Sequence, residues 1–268
     1  MNKKRGNILF KSKHAQVTIF ILIAVVIVAA VIIFFTVTDA GKKVVNTIIG
    51  APIQVDQQMK NCIENNKNMQ TNLKLIESQG GSLNPKNYLL YNNSKIEYLC
   101  YTNEYYQSCV MQKPLLIQDI KKEIESYSKT EIVNCMNLIK SDLESRGYTT
   151  SVGQLNFSVE IGAKDIIYNI KYPITVQKQE TNRYENFNIK KPSSLYQLVM
   201  ISTSILNYEA RYGDTDPMTF MGLYPDVRVN KQKQSDGSKI YILSDRQSNE
   251  LFQFATRSIV LPPGYFAK

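Results

Sequence analysis

Residues 157–172 read FSVEIGAKDIIYNIKY. Apolar and polar residues alternate in 157–161 and again in 166–172, which is the period of a strand with one buried face. Residues 162–165 between these runs are turn formers, so the two runs predict an antiparallel hairpin. A third alternating run, 184–189, extends the hairpin to a meander. The stretch therefore predicts an antiparallel sheet with one face on a core.

A long helical pattern precedes the meander. Apolar residues recur at three- and four-residue spacing from Ile117 to Leu143, as they do along the buried face of an amphipathic helix. Pro114 opens this tract and Gly147 closes it, and a bend is expected near Ser128. We expect the apolar stripe to form part of the core.

A second helical pattern follows the meander. Ser194 and Gln197 have the spacing of a capping box, which predicts the start of a helix. Gly213 is placed to end it, because glycine readily adopts the left-handed conformation found after helices. The apolar face of this helix should pack on the sheet.

Further strands complete the predicted sheet. Residues 88–91 and 95–101 form one predicted hairpin, 226–231 and 239–243 form another, and 251–261 add one more strand. Strands in sequence-adjacent pairs together with amphipathic helices predict the α+β fold class, with antiparallel sheet and packed helices.

The N-terminal region contains a long apolar run. Residues 15–38 carry no charged side chain, and the 24 residues make a helix of about 36 Å, enough to cross a bilayer. The run ends in the bulky residues 31–35 and not in the small residues of a signal-peptide cleavage site. We therefore predict a transmembrane helix that stays in the mature protein.

Flanking charge predicts the orientation of this helix. Five basic residues precede it without an acid, namely Lys3, Lys4, Arg5, Lys11 and Lys13, whereas Asp39 accompanies Lys42 and Lys43 after it. The positive side stays in the cytoplasm, so the N-terminus is predicted to be cytoplasmic and the remainder extracytoplasmic. The predicted location is the cell membrane, with a single pass, and the lipid bilayer is the first predicted partner.

The same five residues explain most of the net charge of +9, since they leave 27 basic residues against 23 acidic ones. A balance of +4 is ordinary for a protein surface. Neither a basic patch nor a known nucleic-acid-binding module is visible in the sequence, so we expect no nucleic-acid partner.

The predicted domains follow from these segments. Residues 1–14 are a basic cytoplasmic flank, 15–38 the transmembrane helix and 39–81 a juxtamembrane helical segment. Residues 82–268 form the extracytoplasmic α+β domain, with a sub-boundary near 147–153.

Four cysteines, Cys62, Cys100, Cys109 and Cys135, lie on the predicted outer side. Disulfides persist in such a compartment, and four cysteines allow three pairings. We favour Cys62 with Cys135, tying two helices together, and Cys100 with Cys109, closing a short loop. A four-thiolate zinc site is the alternative, but no spacing matches Cys-x2-4-Cys.

The sequence offers few groups for catalysis. The one histidine, His14, precedes the apolar run, so the predicted outer part has no imidazole. Asp214-Thr215-Asp216 lacks the further oxygen ligands that Ca²⁺ or Mg²⁺ requires, and the triplet is typical of a solvated turn. We expect no enzyme activity, no catalytic residue, no metal and no cofactor. A membrane-anchored extracytoplasmic enzyme is kept as an alternative.

Two triplets match the acceptor pattern for N-linked glycosylation, Asn92-Asn93-Ser94 and Asn156-Phe157-Ser158. The first falls in a predicted turn, and the second falls within a predicted strand. Asn92 is therefore the candidate glycosylation site.

Tyrosines cluster around the short cysteine loop, at Tyr101, Tyr105 and Tyr106. Such a cluster can form a recognition surface, since tyrosine combines a large apolar ring with a polar tip. The favoured interpretation is that these are half-buried strand residues.

Residues 13–20, KHAQVTIF, resemble the class III signal of archaeal type IV pilins and archaellins. In that family a peptidase cuts before the Gln, so the resemblance implies a processing site between Ala15 and Gln16. The family usually has Glu at the fifth mature position, where this chain has Phe20.

More of the chain is similar to a group of single-pass membrane-anchored surface proteins of small-genome archaea, through residues 16–21, 62–64, 79–81 and 134–135. We predict a non-enzymatic surface protein that acts by binding or by envelope assembly. Its expected partners are other surface or envelope proteins, including copies of itself. The alternative is a type IV pilin-like subunit of a surface filament, processed before Gln16.

Overall fold

The computed structural model describes residues 14–38 and 54–262 of the chain. The chain divides into two compact units, Met1–Gln54 and Val55–Lys268. The predicted basic flank, apart from His14, and residues 39–53 of the predicted juxtamembrane segment lie outside the described residues.

The first unit contains helix α1, His14–Val37, over the stretch in which the sequence predicts the transmembrane helix. The side chains of residues 20–34 are exposed. Counted over the described residues alone, no helix has both the length and the apolar character that a membrane crossing requires. Ala15 and Gln16 lie in the first turn of α1, and their side chains lie outside the described part.

The second unit contains helices and strands in mixed order. Its helices are α2 (Val55–Glu64), α3 (Lys67–Ser78), α4 (Leu116–Ser145), α5 (Leu195–Tyr212) and α6 (Pro217–Leu223). Its strands are β1 (Tyr88–Tyr91), β2 (Ser94–Tyr101), β3 (Val110–Met111), β4 (Thr149–Val152), β5 (Asn156–Ile161), β6 (Asp165–Gln177), β7 (Thr181–Pro192), β8 (Val227–Lys233), β9 (Ser238–Asp245) and β10 (Leu251–Arg257).

The strands form two sheets. The first has the order β1-β2-β10-β9-β8, and β3 pairs with the end of β2. In the second, β6 pairs with β7 on one side and with β4 and β5 on the other. The predicted meander is β5–β6–β7, with Val159 opposite Tyr168 and Ile170 opposite Phe187. The α+β class is therefore confirmed, with two sheets in place of the single predicted one.

Helices lie between the sheets. Helices α3 and α5 contact the first sheet through β10, whereas α2 contacts β7 and α4 contacts β4 and β5 of the second sheet. Helix α4 also contacts α2, α3 and α5. The apolar stripe of α4, which includes Ile120, Ile124 and Met136, is accordingly buried, as the spacing predicts.

Helix α4 runs without a break from Leu116 to Ser145, so the chain does not leave the helix near Ser128, where the sequence predicts a bend. Ser128 is completely buried within the helix. Serine favours caps and turns when its side chain competes for backbone groups in water, but tertiary packing overrides that tendency here.

Residues 55–81, assigned from the sequence to the juxtamembrane segment, belong to the second unit. Their helices α2 and α3 pack on α4. A disulfide between Cys62 and Cys135 joins α2 to α4, with 5.8 Å between the Cα atoms. This part of the chain is therefore integral to the folded domain.

Candidate interaction surface

A second disulfide closes a loop at the edge of the first sheet. Cys100 in β2 and Cys109 before β3 are both buried, with their Cα atoms 5.3 Å apart. The loop between them leaves the sheet and presents Tyr105 and Tyr106, which are 44% and 55% exposed. These two tyrosines are thus surface residues, whereas the favoured interpretation of the sequence made them half-buried strand residues.

Residues 259 and 260, which follow β10, form backbone hydrogen bonds with this loop. The Tyr106 backbone N–H donates to the Val260 carbonyl at 2.9 Å, and the Ile259 N–H donates to the Gln107 carbonyl at 2.8 Å. Tyr106 and Ile259 have φ angles of 62° and 45°. Such angles cost L-residues about 1–3 kcal/mol and persist only where contacts enforce them. The loop backbone is therefore set by its tertiary contacts.

Ile259 brings the loop next to the end of α5. A Cβ atom added to Gly213 would clash with the side chain of Ile259. Gly213 also has a φ of 75° and ends α5, as predicted. Glycine alone satisfies both requirements, because it has no side chain and adopts positive φ without strain.

The outer face of α5 carries exposed side chains at helical spacing. Met200, Tyr208 and Tyr212 are exposed and lie on one face, since their spacings are eight and four residues. The Tyr208 ring centroid lies 5.7 Å from that of Tyr212 and 5.9 Å from that of Phe220 in α6. We call the following residues the tyrosine surface: Tyr105, Tyr106, Tyr208, Tyr212 and Ile259.

A buried polar network lies beneath this surface and is centred on Glu209 of α5, which is 0% exposed. Its Oε2 accepts from Lys239 Nζ at 2.8 Å and from Thr256 Oγ1 at 3.3 Å. Its Oε1 accepts from the Tyr241 hydroxyl at 2.5 Å. The Ser258 hydroxyl donates to the Glu209 backbone carbonyl at 2.9 Å. The network thus ties α5 to β9 and β10.

The network reaches both parts of the tyrosine surface. The Cys109 backbone N–H donates to the Ser258 hydroxyl at 3.0 Å, which links the disulfide loop to Glu209. The Lys239 ammonium also donates to the Gly213 carbonyl at the end of α5. The loop and the helix are therefore fixed by the same buried group.

Asp214 lies at the edge of the network, next to two lysines. Asp214 lies 3.4 Å from Lys239 Nζ and accepts from Lys231 Nζ at 2.9 Å. Partial burial alone would raise the pKa of Asp214, but the hydrogen bond from Lys231 and the charge of Lys239 lower it to about 2. Burial, followed by the adjacent Glu209 carboxylate, raises the pKa of Tyr241, which keeps its proton for the hydrogen bond.

The network around Glu209 and Lys239 has a structural role. Glu209 accepts from three side chains, and Lys239 is paired with Glu209, Asp214 and a carbonyl, so the two charged groups have their hydrogen-bonding capacity in use. Asp214 and Asp216 are exposed, as expected for a turn, and Asp216 caps α6 by accepting from the Met218 N–H at 3.0 Å. The network presents the tyrosines on a rigid support.

The other residues singled out from the sequence lie apart from this surface. The bridge Cys62–Cys135 joins α2 to α4, and Asn92 lies at the tip of the β1–β2 hairpin. The two disulfides are the pairs favoured on sequence grounds. Among residues 14–38 and 54–262, no group of three or more His, Cys, Asp or Glu side chains could hold a metal ion.

Sequence reasoning missed the network itself. Glu209 and Lys239 are 30 residues apart, and neither lies in a recognisable motif. One signal was present: Glu209 follows Ile205 by four residues on the apolar face of the α5 pattern, so a partner for its carboxylate was required. Tyr208 and Tyr212, at the exposed side of the same pattern, were also not singled out.

No family model, no curated protein and no solved structure matches the chain.

Proposed function

We propose that this chain is a single-pass membrane-anchored cell-surface protein that binds another surface or envelope protein through the tyrosine surface. The observation that carries the proposal is the exposure of aromatic side chains on a rigid, charge-paired support. Tyrosine, methionine and arginine are enriched in protein interfaces, and Tyr208, Met200 and Arg211 are exposed on α5. A surface that is already ordered loses less entropy on binding.

The proposed location, anchored in the membrane with the second unit outside the cell, rests on two features. The uncharged run 15–38 with its basic N-terminal flank favours an anchor with the N-terminus in the cytoplasm. Two disulfides favour an oxidising compartment for the second unit. The lipid bilayer and a protein on the cell surface are accordingly the proposed partners, and no enzyme activity is proposed.

The binding role is tested by chemical cross-linking on intact cells that produce the full chain. The double variant Tyr208→Ser/Tyr212→Ser should weaken the complex by roughly 30-fold for each tyrosine that is a hot spot, since interface hot spots contribute about 2 kcal/mol each. Leu138→Ser is the matched control, because Leu138 is also exposed but lies on α4. Equal yields of cross-linked complex from the double variant and the control would refute the proposal.

A pilin-like subunit is the second candidate function. It is favoured by residues 13–20 and by the apolar character of residues 15–38, which could pack in a filament core after cleavage before Gln16. N-terminal sequencing of the native protein distinguishes the two. An N-terminus at Gln16, with the protein in pelletable filaments, would support the pilin-like subunit, whereas an uncleaved, detergent-extracted monomer would exclude it.

A further inference from the structure

We infer that Asn92 carries an N-linked glycan on the mature protein. This inference rests on the proposed function, because it requires the second unit to lie outside the cytoplasm. Asn92 opens the triplet Asn92-Asn93-Ser94, and the structure places that triplet at the tip of the β1–β2 hairpin.

The geometry of the hairpin presents the acceptor amide. Tyr91 pairs with Ser94, so Asn92 and Asn93 form a two-residue turn. Their φ angles are 48° and 62°, which asparagine tolerates better than other side chains and which is typical of the tight turn of a hairpin. Both residues are exposed. Asn92 and Asn93 therefore project from the domain, and Ser94 is the half-buried first residue of β2 beside them. A transferase can reach the Asn92 amide at this hairpin tip.

The second triplet provides a contrast within the same chain. Asn156, Phe157 and Ser158 pair in register with Lys171, Ile170 and Asn169, respectively, along β5 and β6. Access to this triplet in the folded domain would require part of the sheet to separate. The same sequence pattern is thus accessible at Asn92 and restricted at Asn156.

The reaction needs a sugar donor activated as a lipid-linked phosphate ester. The Asn92 side-chain nitrogen forms a bond to the anomeric carbon and loses one proton. The bond from that carbon to the phosphate oxygen breaks, and its electron pair leaves with the lipid phosphate. No oxidant or reductant takes part, so the step balances with the donor alone.

The position leaves the tyrosine surface uncovered. Ser94 and Tyr101 are the two ends of β2, and the seven residue steps between them span about 23 Å. The cysteine loop with Tyr105 follows the Tyr101 end. A glycan on Asn92 would shield one end of the sheet edge while the opposite end stays open for binding.

The test is glycopeptide mapping by mass spectrometry of the full chain purified from the cells that naturally produce it. We expect the peptide with Asn92 to carry a glycan and the peptide with Asn156 to be unmodified. Ser94→Ala should abolish the modification while both turn residues remain. Ser94→Thr, which restores the acceptor pattern, should retain it, and Ser158→Ala should change nothing.

Surface biotinylation of the same cells separates this inference from the proposed function. If the protein is labelled at the surface but the Asn92 peptide is unmodified, the glycan is excluded and the surface location stands. If the protein is neither labelled nor modified, both fail. Modification of Asn156 with Asn92 bare would also overturn the inference, because it contradicts the difference in access.

Discussion

Glu77 is a carboxylic acid buried in the domain, only 5% exposed on α3. Burial, followed by the charge of Glu250, raises its pKa from 4.5 to about 8, and Lys191 and Lys74 offset part of this shift. The folded protein therefore binds a proton at Glu77 that the unfolded chain releases above pH 4.5. Its contribution to stability is fully present below that pH and is lost as the pH rises through about 8.

Stability should therefore fall between pH 5 and pH 8, and Glu77→Gln should remove most of this fall. Each pH unit in that window costs about 1.4 kcal/mol, as an upper limit for one group. The measurement is the free energy of unfolding in urea at both pH values. Glu64→Gln is the control, because Glu64 is at the surface with a weak ion pair to Lys60. Equal pH dependence in the wild type and in Glu77→Gln would contradict the assignment.

The Glu209–Lys239 pair leads to a second expectation for single residues. Glu209→Leu should destabilise the domain by about 3–5 kcal/mol, because the buried Lys239 ammonium loses its buried carboxylate partner and keeps only the half-exposed Asp214 and the Gly213 carbonyl. The double variant Glu209→Leu/Lys239→Met should be less destabilised than Glu209→Leu, since it removes both charges. Urea unfolding of the single and double variants measures the difference.

An exposed pair serves as the control for that experiment. Lys140 and Glu144 lie one helical turn apart on α4 and are 43% and 46% exposed. Glu144→Leu should change the free energy of unfolding by less than about 1 kcal/mol. If Glu209→Leu and Glu144→Leu lower the free energy of unfolding equally, the buried network contributes no more stability than an exposed ion pair.

At the scale of elements, local patterns were the reliable part of the sequence. Alternation predicted β5, β6 and β7, and four-residue spacing predicted the buried face of α4, because each pattern reports which side of one element meets the core. The parallel pairing of β2 with β10 was not predicted, since it joins strands about 150 residues apart and leaves no local signal.

The N-terminus of α5 also depends on a contact that is distant in sequence and was not predicted. The predicted capping box is wrong: the Ser194 side chain makes no cap within its own helix. Its hydroxyl donates to Glu250 at 2.8 Å, and its backbone N–H donates to the same carboxylate. Glu250 precedes β10, so a residue distant in sequence replaces the local Gln197. The start of the helix was predictable, but its chemical partner was not.

Removal of each of the two disulfides should lower the free energy of unfolding by a different amount. The bridge Cys62–Cys135 closes a separation of 73 residues and Cys100–Cys109 one of 9, so the chain-entropy model gives losses of about 4.4 and about 2.6 kcal/mol. Replacing each pair by serines and measuring urea unfolding tests this order. Only the loss of Cys100–Cys109 should also weaken cross-linking through the tyrosine surface. The reverse order of stability would show that strain or unfolded-state structure outweighs loop closure.

At the scale of the molecule, the division between Gln54 and Val55 separates the N-terminal helix from a domain with its own core and both disulfides. A fragment of residues 54–268 should fold alone in an oxidising compartment, because the buried residues of α2, including Val55 and Met59, are retained. Its urea midpoint should equal that of the domain in the full chain. A shorter fragment from residue 67 is the comparison: it lacks α2 and Cys62, leaves Cys135 unpaired, and should unfold at lower urea. If both fragments unfold alike, α2 is dispensable and the domain begins after it.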